Sequence, residues 1–235
     1  MNKPNLLIMP SGPGAVFESW TDYDQYNFDL AILQWDTSDL SNTEKAVYHE
    51  KGPGQKWHQI DRFNEKYDLS GYEYVACFDD DCHATPATIA SMFDFCRDNN
   101  LDVAQPALTK NSYIAHIPTV QIDGACMHIT DTVEIMCPIF SQRCWPEANA
   151  LSGLLPDGTG HELEVYWRII FESDTGTTKY GGRVAVIDQY PVCHTRPVTT
   201  PAQFAAKGME PGKDSRWIQS AGYSGWSFKT IEIIQ

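Results

Sequence analysis

The chain has 235 residues, with 31 acidic against 17 basic side chains and a formal net charge of −14. That acidity argues against non-specific binding to DNA or to anionic membrane surfaces. With 42% hydrophobic and 12% aromatic residues the composition excludes a disordered chain, and the length supports one sizeable core in a single domain.

Taken from the N-terminus, Leu6-Leu7-Ile8-Met9 is too short an apolar stretch for a signal peptide or a membrane span. The expected location is therefore cytoplasmic. The stretch reads as a strand entering the loop Pro10-Ser11-Gly12-Pro13-Gly14, and Phe28 to Trp35 followed by Asp36-Thr37 repeats that pattern. Trp57, Ile60, Phe63 and Tyr67 stand at helical spacing and predict a helix over residues 57–67, of the kind that joins parallel strands.

Tyr72 to Phe78 reads as a buried strand that ends in three consecutive aspartates, Asp79, Asp80 and Asp81. Carboxylates packed this closely repel one another, and a bound divalent cation or loop donors keep them ionised. A hard cation with oxygen ligands commonly serves phosphates. The competing reading is a solvated acidic turn ahead of a helix, since Thr85 and Pro86 suit its N-cap and first position.

Ile89, Met92, Phe93 and Cys96 then mark an amphipathic helix, ended by Arg97-Asp98-Asn99-Asn100, and Val103-Ala104 begins another short strand. Ala125 to Ile129 and Val133 to Phe140 are strand-like, with Pro138 suggesting an edge or a bulge. Residues 146–160 read as a Pro and Gly rich loop. Leu163, Tyr166, Trp167 and Ile170 mark one face of a helix, and Val184 to Ile187 a further buried strand. Residues 197–235, with Trp217 and Trp226, read as an irregular tail with a short helix around 201–207. The seven scattered cysteines suit reduced core thiols, and none has the spacing of a structural zinc site. The alternation of strands and helices is that of an α/β protein.

Ser11, Asp36, Asp79 to Asp81 and His194 all fall just beyond strand ends, where open α/β sheets bind ligands. Each alone has an ordinary explanation, Asp36 as a turn residue and His194 as a satisfied core or surface histidine. Their common position is the signal.

With these residues in place, the chain resembles glycosyltransferases of the GT-A fold, whose Asp-x-Asp motif at a central strand end binds a divalent metal and through it the diphosphate of a nucleotide sugar. Asp79-Asp80-Asp81 satisfies that motif. The chain is most similar to a domain-of-unknown-function family of glycosyltransferase type. The stretches that carry this are Lys51 to Trp57, Tyr74 to Asp81, Ala104 to Leu108, Val133 to Ser141, Gly160 to Trp167 and His194 to Val198, in the same order over most of the chain.

The resemblance implies a GT-A-like α/β fold with a mixed, mostly parallel sheet flanked by helices. Residues 1–110 would form a nucleotide-binding half, 111–198 an acceptor half and 199–235 a C-terminal tail. It further implies Mn²⁺ or Mg²⁺ as cofactor, with Asp81 as chief ligand, Asp79 sharing the metal or holding the ribose, and His194 completing the coordination. Pro10, Ser11 and Gly12 would lie against the nucleobase, and Asp36 would bond base or ribose. Asp80 completes the donor-side set. Lys56, or Arg62, would reach a phosphate, although Arg62 has Asp61 and Glu65 as neighbours on its helix. Glu164 stands where relatives carry an acidic residue that deprotonates the acceptor hydroxyl. Here His161 and Glu162 replace the usual Trp and Gly, which leaves Glu162 as a rival for that role.

The expected activity is hexosyl or pentosyl transfer from a nucleotide-diphosphate sugar, UDP being the base-rate nucleotide, with inversion favoured and retention the alternative. The acceptor is unspecified. The rival readings are a non-catalytic nucleotide or sugar binding module, and another metal enzyme such as a nucleotidyltransferase or phosphohydrolase. Against a nucleotidyltransferase stands the loop Pro10 to Gly14, which lacks the Arg and Lys that would grip a triphosphate.

Overall fold

The computed structural model describes residues 3–152, 158–160, 162–199, 201–206 and 228–235. The chain begins with β1 (Asn5–Ser11), β2 (Phe28–Gln34) and β3 (Tyr48–Lys51), continues through α1 (Lys56–Lys66), and reaches β4 (Tyr74–Cys77) ahead of the aspartates. A two-residue β5 (Cys82–His83) precedes α2 (Pro86–Asp98) and β6 (Leu101–Leu108). Then come β7 (Met127–Thr130), β8 (Ile139–Ser141), α3 (Trp145–Ser152), α4 (Leu163–Phe171), β9 (Arg183–His194), α5 (Pro201–Ala206) and β10 (Thr230–Ile234).

The strands form one sheet in the order β10-β7-β9-β6-β8-β4-β1-β2-β3, with β5 pairing separately onto β9. Along that path β7 and β8 run against the other strands, which share one direction. The sheet is thus mixed and mostly parallel, with helices on both faces, as a GT-A-like α/β fold requires.

The reason lies in the strands themselves. All seven residues of β1 are buried, and alternate side chains enter opposite cores. Leu7 and Met9 join Phe28, Ile89 and Phe93 on the α2 side, whereas Leu6 and Ile8 join Trp57, Ile60, Trp145 and Trp167 on the other. Trp57 and Trp167 meet edge to face at 5.4 Å, tying α1 to α4. Each such fully buried side chain contributes about 2–3 kcal/mol.

Helix α2 starts as its sequence predicts, with Thr85 Oγ1 accepting from the Thr88 N–H at 3.1 Å and Pro86 in the first turn. Other expectations are corrected. Residues 146–160 are not all loop, because α3 occupies Trp145–Ser152 and buries Trp145 and Ala148. Of the run Val133 to Phe140 only the last two residues enter a strand, β8. Strands β3, β5 and β10 lie in segments that read as loop or tail. Trp217 and Trp226 lie outside the described residues. All seven cysteines are free thiols. Among the described residues no helix is long and apolar enough to cross a membrane.

Candidate functional site

Because β1, β2, β4 and β9 run the same way, the residues at their C-terminal ends share one edge of the sheet. Strand β9 then leaves β6, after a register shift near Pro106, and pairs with β5, setting Cys82 opposite His194. Thr195 reinforces this by donating from its N–H and its hydroxyl to the Asp81 carbonyl at 3.1 and 3.0 Å. Backbone pairing therefore delivers His194 to Asp81, and His194 Nε2 lies 3.3 Å from Asp81 Oδ2.

The other ring nitrogen, Nδ1, is 2.8 Å from the Tyr113 carbonyl oxygen. A carbonyl only accepts, so Nδ1 carries the proton. A neutral ring then presents its Nε2 lone pair to a carboxylate, an arrangement stable only with a proton or a cation between them. Burial disfavours the charged ring, but the Asp81 carboxylate and the Tyr113 carbonyl outweigh it and raise the pKa of His194 above its ordinary value.

Lys56, at the start of α1, takes a different post from the expected one. Its ammonium lies 2.7 Å from Asp79 Oδ1, and 2.6, 3.0 and 3.1 Å from the carbonyl oxygens of Ile135, Met136 and Cys77. Three N–H groups shared among four acceptors leave none to turn toward a phosphate. Burial alone would push this amine down, but Asp79 more than offsets it and the group stays charged. Lys56 thereby fastens the irregular segment 131–138 to the end of β4, which the Asp79 N–H also does by donating to Met136 O at 2.9 Å.

Lys56, Asp79, Asp81, Glu134, Glu164 and His194 line one cavity of about 240 Å³. Glu164 stands in the first turn of α4 and is 4% exposed. Its Oε1 accepts a long 3.5 Å bond from the Ile135 N–H, while its Oε2 is buried with no hydrogen-bond partner among the described residues. Burial, helped by Glu134, pushes its pKa up to about 8. Glu134 is likewise buried, its Oε2 without a partner among the described residues, and burial followed by Asp79 pushes its pKa up to about 7. Four carboxyls thus share the cavity with one ammonium and two imidazoles, those of His116 and His194.

That donor set fits a divalent cation. An imidazole nitrogen and a carboxylate oxygen converge in a cavity with surplus acidity, the usual protein share of a site where substrate phosphates supply further ligands. Among the described residues no group of three His, Cys, Asp or Glu closes around a single point. The fit is therefore to a cation shared with a bound ligand, held on the protein side by Asp81 and His194, with Asp79 adjacent.

The remaining expected residues stand apart from this cavity. Asp80 turns to the other side: its Oδ2 accepts from the Gly12 N–H at 2.8 Å and its Oδ1 from Arg196 at 2.9 Å. Burial leads in raising its pKa to about 6, against the pull of those two donors. Pro10 and Ser11 are buried, and the Ser11 hydroxyl donates to the Met9 carbonyl at 2.8 Å. Gly12 lies beneath the Trp35 ring, where an added Cβ would come within 2.0 Å of the indole. Asp36, past the end of β2, accepts from Ser38 Oγ at 2.8 Å and Gln34 Nε2 at 3.2 Å. Arg62 donates to the Pro53 carbonyl at 2.7 Å.

Glu162 is the N-cap of α4, with a left-handed φ of 79°, and is absent from the cavity's described lining. His161 lies outside the described residues. Just before it, Gly160 has φ +82°, and a Cβ there would meet Trp57 at 2.1 Å, so only glycine lets the chain reach α4 by this route. Glu134 is the lining residue that sequence reasoning passed over. Its only signal is one acidic residue inside an apolar run. Ala115 and His116, which also line the cavity, carry no sequence signal at all.

No protein-family model and no curated protein matches the chain in sequence. Solved structures do match. S. aureus TarS 1–349 is similar with a TM-score of 0.53 and 10% identity, over 88% of this chain and 63% of that one. The same TarS segment in complex with UDP-GlcNAc gives 0.55 and 9%, over 87% and 64%. A further S. aureus TarS structure gives 0.54 and 11%, over 88% and 38%. This chain thus spans less than two thirds of the length of those neighbours. At such identity the likeness speaks for the fold alone.

Proposed function

We propose that this protein is a metal-dependent glycosyltransferase that moves a hexosyl or pentosyl group from a nucleotide-diphosphate sugar to an acceptor hydroxyl. The observation that carries the reading is the convergence of Asp81 Oδ2 and His194 Nε2, 3.3 Å apart, in a cavity that Glu164 also lines, its buried Oε2 without a hydrogen-bond partner among the described residues. The similar fold of TarS, which holds UDP-GlcNAc, makes UDP-sugars the first donors to test.

Mn²⁺ or Mg²⁺ held by Asp81 and His194, with Asp79 beside them, would neutralise the diphosphate that departs. Lys56 keeps Asp79 in place and opposes the burial that raises its pKa. Glu164 acts as general base: the acceptor oxygen forms its bond to the anomeric carbon, its proton passes to Glu164 Oε2, and the bond from that carbon to the diphosphate oxygen breaks with its electron pair leaving on the diphosphate. The carboxyl takes that proton in its ionised form, which gains ground as pH approaches its pKa of about 8. Direct displacement with a single base would invert the anomeric carbon. Asp36 and the backbone of Pro10 to Gly12 lie farther along the same sheet edge and serve the nucleoside end of the donor, with Asp80 bracing Gly12.

Incubation with Mn²⁺ and a panel of nucleotide sugars, followed by assay for slow donor hydrolysis, tests the reading. Release of free sugar that EDTA abolishes is the expected result. Thermal stabilisation by nucleotide without any product would instead identify a binding module.

A further inference from the structure

The cavity holds a fourth carboxyl that the reaction above leaves without a task. Glu134 is 5% exposed, and its Oε2 is buried with no hydrogen-bond partner among the described residues. Its mounting is firm. The Glu134 N–H donates to Gln105 Oε1 at 2.6 Å, and the next two carbonyls, of Ile135 and Met136, are held by the Lys56 ammonium. A buried acceptor fixed in this way and left unmet is costly, and a ligand with a donor relieves it.

Its place in the cavity narrows the ligand. The next residue, Ile135, accepts at its carbonyl from Lys56, which also holds Asp79, and donates from its N–H to Glu164 Oε1 at 3.5 Å. Glu134 is therefore mounted beside both the Lys56 and Asp79 pair and the proposed base, in the cavity that Asp81 and His194 also line. In a transferase the space beside the base is filled by the sugar in transit. Phosphate oxygens only accept and would be repelled by a carboxylate, whereas a sugar presents hydroxyl donors.

We infer that Glu134 is a specificity-determining residue that accepts a hydrogen bond from a hydroxyl of the sugar being transferred. The inference rests on the donor reading given above. It makes the protein discriminate by sugar at Glu134 and by nucleotide elsewhere, since a site built around a hydroxyl rejects ligands that lack it.

Calorimetry with Mn²⁺ tests this, using UDP, GDP, TDP, CDP and ADP and the glucose conjugate of each, on wild type, Glu134→Leu and Glu134→Gln. For the nucleotide that wild type prefers, Glu134→Leu is expected to leave the free diphosphate within about twofold. It should weaken the glucose conjugate by roughly tenfold or more, with Glu134→Gln in between because an acceptor oxygen remains. Both variants remove a buried unpartnered carboxyl, so each should melt no lower than wild type. Equal losses for diphosphate and conjugate, or no loss for either, would overturn the role of Glu134 while leaving the donor reading intact. Wild-type protein that binds no member of the panel would overturn the donor reading itself, and this inference with it.

Discussion

Two ends of one sheet treat buried carboxyls in opposite ways. Asp102, at the start of β6, is fully buried and accepts from Ser141 Oγ at 2.8 Å and the Gly182 N–H at 3.0 Å, and also from the Thr178 hydroxyl and the Arg143 guanidinium. At the opposite edge Glu134 and Glu164 are almost as buried, yet each keeps one oxygen without a donor among the described residues. Burial is common to both. What separates a structural carboxylate from a candidate functional one is whether the fold completes its hydrogen bonds.

Replacing Glu164 by Gln should have the largest effect. It is expected to lower the turnover of sugar transfer by roughly 10²–10⁴-fold while nucleotide affinity stays level, as read by steady-state kinetics and calorimetry. Unchanged turnover would remove Glu164 from the reaction. The matching change at the other end, Asp102→Ala, strands the buried Thr178 and Gly182 donors and should cost about 3 kcal/mol in urea denaturation. Arg143 adds little to that figure because its side chain is 43% exposed. Nucleotide affinity should not move, and if it did the two ends would not be independent.

Asp81→Ala is expected to weaken Mn²⁺-dependent nucleotide binding by about 100-fold, whereas Asp80→Ala should lower stability and spare the metal dependence. Equal metal effects in the two variants would erase the distinction between these neighbours. A pH series in EDTA sharpens the comparison further. Below pH 4.5 Glu164 is protonated in both states. Between 4.5 and about 8 it ionises in the unfolded chain while the fold holds it neutral. Stability is therefore lost as pH rises through that window, by about 1.4 kcal/mol per pH unit for one proton. Glu164→Gln should gain on wild type progressively from pH 5 to 8, and a constant offset would contradict the burial argument. The smallest effect belongs to Asp36→Ala, a severalfold loss of nucleotide affinity with no change in the transfer step.

Much of this arrangement was legible in the residues. The apolar runs of β1, β2 and β4 and the helical spacing of α1 and α2 report burial directly, because both faces of a central strand and one face of a helix must leave water. Strand β3 was not legible. Tyr48-His49-Glu50-Lys51 alternates half-buried and exposed at the sheet edge, held by backbone bonds to β2 that no side chain announces. The run Val133 to Phe140 misled in the other direction. Its carbonyls at Ile135 and Met136 serve Lys56, and those at Met136 and Pro138 serve the N–H groups of Asp79 and Cys77, so it is buried without being a regular strand over most of its length.

In the site itself, Asp79, Asp80 and Asp81 are interchangeable as letters, and the fold gives them three different duties. Asp79 answers to Lys56, Asp80 to Gly12 and Arg196, Asp81 to His194. What the amino-acid order alone determined is that Asp79 to Asp81 and His194 reach the C-terminal edge of the sheet, since strand ends follow from local apolar runs. Tertiary structure alone decided which way each carboxyl faces and whether it is satisfied. Those outcomes depend on donors brought from distant parts of the chain, and local sequence holds no record of them.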